Sequence, residues 1–241
     1  MKALILAAGR STRIAPVSGG SPKPLLRIAG ETILARNLRW LAEQGLRQVW
    51  INLHFRPEEI RTAVGDGSRF GLLIRYVEEP EILGTAGAVR NLASEWEDTF
   101  LVVYGDNLVR MDLQALVRFH RERRAIVSVA VYDSRRHPHT GIAGGLVKLA
   151  PDGRIEKFCE HAAVARSPLV NAGIYVLEPE VVAEIPFGQF YDFGQDLFPR
   201  LLAAGRALYG HIMSGYCLGL DTAEGYAKAI ELIERGEVQL S

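Results

Sequence analysis

Residues 4–24 read LILAAGRSTRIAPVSGGSPKP. An apolar run ending at Leu6 passes through Ala7, Ala8 and Gly9 into a turn, and then reaches two fixed cations, Arg13 and Lys23. Small residues at a strand end let backbone N–H groups come close to a ligand, as anion recognition requires. Arg13 offers a planar fork for phosphate oxygens, and Lys23, expected in an extended segment between Pro22 and Pro24, offers a compact charge. Gly9 alone says little, because strand-and-glycine turns are common in α/β proteins. The whole combination suits a reacting polyphosphate, with a nucleoside triphosphate as the expected guest.

Working outward, short apolar runs alternate with helical patterns through the first half, the signature of a parallel sheet with crossover helices. Strands are expected at Lys2–Leu6, Val49–Leu53, Leu73–Val77 and Phe100–Tyr104, with helices around Leu34, Leu38 and Leu41, over Pro57–Val64 and over Ala86–Ala93. A helix after Asp112 leads into Ile126–Tyr132, and the pattern then turns strand-rich at Ile142–Leu149, Arg154–Cys159 and Leu169–Leu177, with a hairpin turn at Pro151-Asp152-Gly153. Helices near Gly194–Ala204 and Ala223–Glu234 close the chain. The expected fold is α/β: a three-layer, Rossmann-like, mostly parallel sheet with helices on both faces. No linker rich in Pro, Gly or Ser intervenes. One domain over residues 1–241 is therefore expected, with 1–111 mainly nucleotide-binding and 112–241 the strand-rich remainder.

Composition narrows the function. With 28 basic against 28 acidic residues, no global field gathers nucleic acid or an anionic membrane, so any anion site must be local. Two cysteines, Cys159 and Cys217, make no disulfide framework and no zinc spacing. The apolar run at the amino terminus is too short to span a membrane and lacks a signal-peptide pattern, so a cytoplasmic location is expected.

Two further motifs carry chemistry. Gly105-Asp106-Asn107 follows the apolar strand at Phe100–Tyr104, at the carboxyl end where open parallel sheets place ligands. There Asp106 can hold Mg²⁺ against a phosphate, or merely cap turn amides. Gly84, Thr85, Ala86 and Gly87 precede a helix, where small residues and exposed N–H groups admit a base or ribose; a plain Thr85 helix cap is the other reading. The remaining histidines, His54, His120, His137, His139 and His211, show no spacing that demands a metal.

The run Leu6-Ala7-Ala8-Gly9-Arg10-Ser11-Thr12-Arg13, followed by Pro22-Lys23-Pro24, resembles the signature of the sugar-nucleotide pyrophosphorylases, nucleotidyltransferases that read roughly L-A-A-G-x-G-T-R and then P-K-P. Ser11 stands where the second glycine is usual. The resemblance runs in motif order from about residue 1 to residue 230 and is most like the short bacterial guanylyl- and uridylyltransferases for mannose, heptose or related sugar phosphates. It implies that a sugar 1-phosphate and a nucleoside triphosphate yield a nucleotide sugar and pyrophosphate, with Mg²⁺ as cofactor and Arg13, Lys23 and Asp106 as the catalytic set. It also implies that Gly84 to Gly87 lie against the nucleotide, and that the strand-rich part binds the sugar phosphate through Asn107, Glu160 and Asn171 of N-A-G-I-Y. The segment Tyr191 to Pro199 would frame that pocket. Relatives are often dimers or larger, so a homodimer is an expected assembly.

Two departures stand out. After Glu160 the family lysine that meets the sugar phosphate is replaced by His161, which with an ordinary pKa of about 6.5 can still be cationic beside a phosphate. Lys157, Arg166 and Arg136 are other sources of that charge. Near the carboxyl end, the family D-I-G-T, whose first acid completes the metal site, reads Gly219-Leu220-Asp221-Thr222. On a strand, positions two apart share a face but lie about 6–7 Å apart. Asp221 then reaches the metal through a rearranged loop or a water, or the metal relies on Asp106 and nucleotide oxygens, or turnover is lost; the first is the expectation. A pseudoenzyme that binds nucleotide is thus one rival. A dinucleotide oxidoreductase fails because Arg10 to Arg13 lacks G-x-G-x-x-G spacing.

Overall fold

The computed structural model describes residues 1–141, 145–160 and 167–240. In chain order, β1 (Ala3–Leu6) leads through the motif loop to a short α1 (Ala15–Ser18), a hairpin of β2 (Arg27–Ile28) and β3 (Glu31–Thr32), and then α2 (Ile33–Glu43). β4 (Gln48–Leu53), α3 (Pro57–Val64), β5 (Leu73–Glu78), α4 (Gly84–Asn91) and β6 (Phe100–Tyr104) complete the alternating half. There follow β7 (Asn107–Arg110), α5 (Leu113–Arg123), β8 (Val127–Asp133), β9 (Leu146–Leu149), β10 (Ile155–Cys159) and β11 (Leu169–Leu177). The last elements are α6 (Phe198–Ala203), β12 (Leu208–Ile212), β13 (Tyr216–Gly219) and α7 (Ala223–Glu234).

The main sheet runs β10-β9-β11-β6-β1-β4-β5, with β8 on the other side of β11 and β12 beyond it. β1 pairs in parallel with both β4 and β6, and β4 with β5, while β11 meets β6, β8 and β9 antiparallel. The sheet is therefore doubly wound about β1, and antiparallel strands extend it on the β6 side. Alternation along each strand feeds two cores. Ala3, Ile5, Leu101 and Val103 join Leu34, Leu38 and Leu41 of α2 on one face, whereas Leu4, Phe100 and Val102 join Val89 of α4 and Phe198 and Leu201 of α6 on the other.

Helix α2 illustrates the local logic. Thr32 caps it by accepting from the Ala35 N–H at 3.2 Å, and its buried stripe includes Leu34, Leu38 and Leu41. Burying one such leucine is worth about 1.5–3 kcal/mol. Asn37 on the same buried stripe donates Nδ2 to the Asn107 carbonyl at 2.8 Å, so α2 holds the chain just after Asp106.

Several sequence expectations change in detail. The strand expected from Ile142 is confined to Leu146–Leu149, and residues 142–144 lie outside the described ones. The helix expected over Gly194–Ala204 begins as a π-helical turn at Phe193–Leu197, where the Leu197 N–H donates to the Asp192 carbonyl five residues back, and becomes α-helical at Phe198; the Asp192 carboxylate caps its start by accepting from the amides of Gly194 and Gln195. Lys23 is not extended: Pro22 is, and Lys23 opens a 3₁₀ turn to Leu25 whose Leu26 N–H donates to the Lys23 carbonyl. The strands β7, β12 and β13 escaped the sequence pattern because each is short and owes its order to a partner distant in sequence.

Candidate functional site

The sheet reverses its winding between β1 and β6, the place where open α/β sheets bind ligands at their carboxyl ends. The motif loop leaves β1 there, and Gly105-Asp106 leaves β6 there. The Gly105 N–H donates to the Leu6 carbonyl at 2.9 Å, joining the two strand ends.

Ser11 sits in the left-handed region at φ 58°, a conformation that glycine adopts freely and serine adopts at a cost of roughly 1–2 kcal/mol. Its hydroxyl offsets this by accepting the Lys23 backbone N–H at 2.8 Å. The residue that departs from the glycine pattern is thus the one that ties the motif loop to Lys23.

Lys23, only 11% exposed at its side chain, sends its ammonium between two carboxylates, 2.8 Å from Asp106 Oδ2 and hydrogen-bonded to Asp221 Oδ1. Burial alone would lower its pKa, but Asp106 and Asp221 outweigh that and hold it above the ordinary lysine value. Arg13 Nη2 lies 3.7 Å from Asp221 Oδ1 and stays 69% exposed at the mouth of the cleft. Asp221 reaches this cluster because β13 ends at Gly219, which pairs with Asn107; the chain leaves the ladder there, and Thr222 caps α7 by accepting the Gly225 N–H. Strand alternation therefore does not govern Asp221. The two acids that the sequence keeps apart converge on one cation.

These residues line a cleft of about 440 Å³ whose other walls are polar and mostly uncharged. Asn107, Glu160, Asn171, Asp192 and Gln195 line it. A bulge in β11 between Asn171 and Tyr175 turns Asn171 into the cleft. Gly173 occupies that bulge at φ +71°, and an added Cβ would come within 2.8 Å of the Tyr104 ring, so glycine is required. Asn171 donates Nδ2 to the Tyr175 hydroxyl at 2.7 Å and accepts the Gly173 N–H at 2.9 Å. Burial pushes the hydroxyl pKa values of Tyr104 and Tyr175 well up, so both remain protonated donors.

The remaining sequence candidates fall into three settings. Ala7 and Ala8 are buried, and the Ala7 N–H is not bare: it donates to Asn52 Oδ1 at 2.7 Å. Asn52 in turn donates to Glu79 Oε1 at 2.8 Å, and Glu79 Oε2 accepts the Leu83 N–H at 3.1 Å. This buried chain joins the β1 loop to the Gly84 segment, and burial raises the Glu79 pKa. Leu6 is half-buried and Gly9 exposed, while Ser11 and Thr12 line an adjacent hollow of about 480 Å³ with His54 and Phe55. In the second glycine motif, the N–H groups of Ala86 and Gly87 both donate to the Tyr191 carbonyl at 3.0 Å, so these amides are engaged by the chain itself. Gly84, at φ +76°, lets Tyr191 pack against this turn, and Thr85 faces the cleft and donates to Asp192 Oδ2 at 2.8 Å. His161 and Arg166 lie outside the described residues. Lys157 is exposed on β10, and Arg136 lies 3.7 Å from Asp133; neither is among the residues lining the cleft.

Asn52, Tyr104, Asp192 and Gln195 were not singled out individually from sequence. Asn52 carried a signal, a polar residue inside the apolar run Val49–Leu53, and Asp192 preceded a helix as caps do. Among the described residues no group of three or more His, Cys, Asp or Glu side chains is arranged to hold a metal, and no helix is long and apolar enough to cross a membrane.

A family model described as nucleotidyl transferase matches residues 2–235. The chain is 35% identical to a UTP–glucose-1-phosphate uridylyltransferase of Synechocystis over 99% of its length, and 34% identical to a mannose-1-phosphate guanylyltransferase of Mycobacterium tuberculosis over 97%. It spans 65% of the length of each of these relatives. Among solved structures, HddC from Yersinia pseudotuberculosis complexed with GMP-PN superposes with a TM-score of 0.80 at 23% identity, covering 96% of this chain and 99% of that one. A putative glucose-1-phosphate thymidylyltransferase from Bacillus anthracis, in complex with sucrose, gives 0.83 at 20% identity, covering 96% and 94%. Both share the fold.

Proposed function

The chain belongs to the nucleotidyl transferase family, and from that premise we propose that it condenses a sugar 1-phosphate with a nucleoside triphosphate, releasing pyrophosphate. The observation that carries the reading is the Asp106–Lys23–Asp221 cluster, with Arg13 beside it, in one cleft with the polar side chains Asn107, Glu160 and Asn171.

A phosphate oxygen of the sugar 1-phosphate attacks the α-phosphorus in line and the pyrophosphate leaves; no covalent enzyme intermediate is formed. Lys23 meets the α-phosphate and the incoming phosphate, and Arg13, exposed at the mouth beside Asp221, steadies the departing pyrophosphate. The amide of Asn171 and the carboxylate of Glu160 hold sugar hydroxyls, which both donate and accept. Catalysis is mostly positioning of two bound substrates.

Mg²⁺ fits the residues present. Asp106 and Asp221 are hard oxygen donors close enough to share one ammonium, and Mg²⁺ commonly takes one or two carboxylates and fills its shell with waters and substrate phosphates. Bound there, it would neutralise phosphate charge and polarise the electrophilic phosphorus.

We assign guanylyl transfer to a mannose- or heptose-type 1-phosphate, on the Leu83 to Gly87 segment and the guanylyltransferase relative. Uridylyl transfer is the second reading, favoured by the uridylyltransferase relative of similar identity. The test is pyrophosphate release with Mg²⁺, each common nucleoside triphosphate and a panel of hexose and heptose 1-phosphates. Turnover with a narrow set is expected. Saturable nucleotide binding without pyrophosphate from any pair would favour the binding-only rival.

A further inference from the structure

The turn that follows Asp192 carries a glycine that its own conformation does not require. Gly194 lies within the π-helical turn Phe193–Leu197 and does not adopt a positive φ, so alanine could take the same backbone. In a helical turn alanine is the more stable of the two, because glycine has more freedom to lose on folding. The surroundings supply the reason for glycine. A Cβ added at Gly194 would fall 2.6 Å from Glu160 Cδ and 2.9 Å from its Cγ, and closer still to Oε1. Gly84 and Gly87 differ, because a Cβ on either meets backbone, the Tyr191 carbonyl oxygen at 2.6 Å and the Gln189 carbonyl oxygen at 2.9 Å. The space beside Gly194 is instead taken by a carboxylate on a flexible stem, and that side chain lines the cleft.

The turn is held too firmly to give way in place of the glutamate. The Gly194 N–H donates to Asp192 Oδ1 at 3.0 Å, Asp192 Oδ2 accepts the Thr85 hydroxyl at 2.8 Å, and the Phe193 N–H donates to Thr85 Oγ1 at 2.9 Å. The buried Phe193 ring packs against Tyr175 and Phe198, with centroids 4.9 and 5.4 Å away. Phe158, two residues before Glu160, packs on the same Phe198 at 5.1 Å, so β10 and the turn share one anchor. We propose that Gly194 is a positioning residue which, by lacking a side chain, seats the Glu160 carboxylate in the cleft, a role that rests on the reading of Glu160 as a group that holds sugar hydroxyls. Gly194→Ala then keeps the fold and displaces the carboxylate, because the far end of a glutamate moves at less cost than a turn pinned by Thr85 and Asp192.

Four proteins test this: the parent, Gly194→Ala, Glu160→Ala and the double variant. In thermal unfolding without substrate, Gly194→Ala is expected to raise the melting temperature by about 1–3 °C in the Glu160→Ala background, where the alanine meets no carboxylate, and to give no such gain in the parent. In kinetics with GTP and mannose 1-phosphate, Gly194→Ala is expected to raise KM for the sugar phosphate about tenfold in the parent, with KM for GTP within about twofold. In the Glu160→Ala background it should add no further rise, because the group it displaces is already gone. A glycine needed only for the fold would act equally in both backgrounds. The same temperature shift in both, an unchanged KM for the sugar phosphate in Gly194→Ala, or the same fold rise in both backgrounds would overturn the proposal. If the parent turned over no sugar phosphate at all, the functional reading would fail, and the melting temperatures would still decide whether Gly194 seats Glu160.

Discussion

The two halves of the cleft solve the same problem, holding polar groups still in a partly buried place, by opposite means. At the phosphate end, Lys23 is fixed by Asp106 and Asp221, charge against charge. At the proposed sugar end, Asn171 is held by neutral groups, its Nδ2 donating to the Tyr175 hydroxyl and its Oδ1 accepting the Gly173 N–H. The charged arrangement tolerates little, because removing one member leaves a buried charge uncompensated. The neutral arrangement fails more gently, because a lost partner costs one hydrogen bond.

Substitutions can break that contrast. Asp106→Asn keeps size and removes charge, and it is expected to lower kcat by about 10²–10³, of the order seen when one transition-state electrostatic partner is lost; steady-state pyrophosphate release checks it. Lys23→Met is expected to lower kcat by a similar factor and also the melting temperature, because Asp106 and Asp221 then face each other with Arg13 as the one cation left beside them among the described residues. Added Mg²⁺ should restore part of that melting temperature in the variant more than in the parent, as thermal unfolding with and without metal would show. Asp221→Asn is expected to cost less, about 10–100-fold in activity; parent-like turnover would remove Asp221 from the metal set.

Smaller effects sharpen the comparison. Ser11→Gly relieves a left-handed serine but deletes the acceptor for the Lys23 N–H, so stability is expected to stay within about 1 kcal/mol while kcat falls. Denaturant unfolding beside kinetics separates the two. The smallest effect lies away from the cleft. His120 is buried between Ser128 and Glu178, and burial depresses its pKa despite Glu178. The unfolded chain therefore binds the proton more readily, and the stability is present above the ordinary value of about 6.5 and lost as pH falls below it. His120→Gln should flatten that acid limb in melting curves taken across pH.

How much of this the sequence disclosed follows from how local each feature is. The alternating half could be read because its strands are apolar runs and its helices carry their own caps, as Thr32 does for α2. Arg13, Lys23 and Asp106 could be named because their motifs are contiguous. Asp221 was harder: whether it reaches the cluster depends on where β13 stops, which pairing with β7 decides. The amides of Ala86 and Gly87 looked open because the Tyr191 carbonyl that takes them is about a hundred residues away. Tyr104 belongs by sequence to an apolar strand, yet it lines the cleft, and the room for its ring comes from Gly173 in the β11 bulge, about seventy residues on.

The most direct test of nucleotidyl transfer follows the α-phosphorus itself. GTP labelled at that atom is incubated with the protein, Mg²⁺ and mannose 1-phosphate, and the products are separated. The account predicts label in a nucleotide sugar, with one unlabelled pyrophosphate released for each, and neither product with Asp106→Asn. Label remaining in GTP, or appearing only in GDP or GMP without a sugar nucleotide, across the nucleotide and sugar panel, would contradict it.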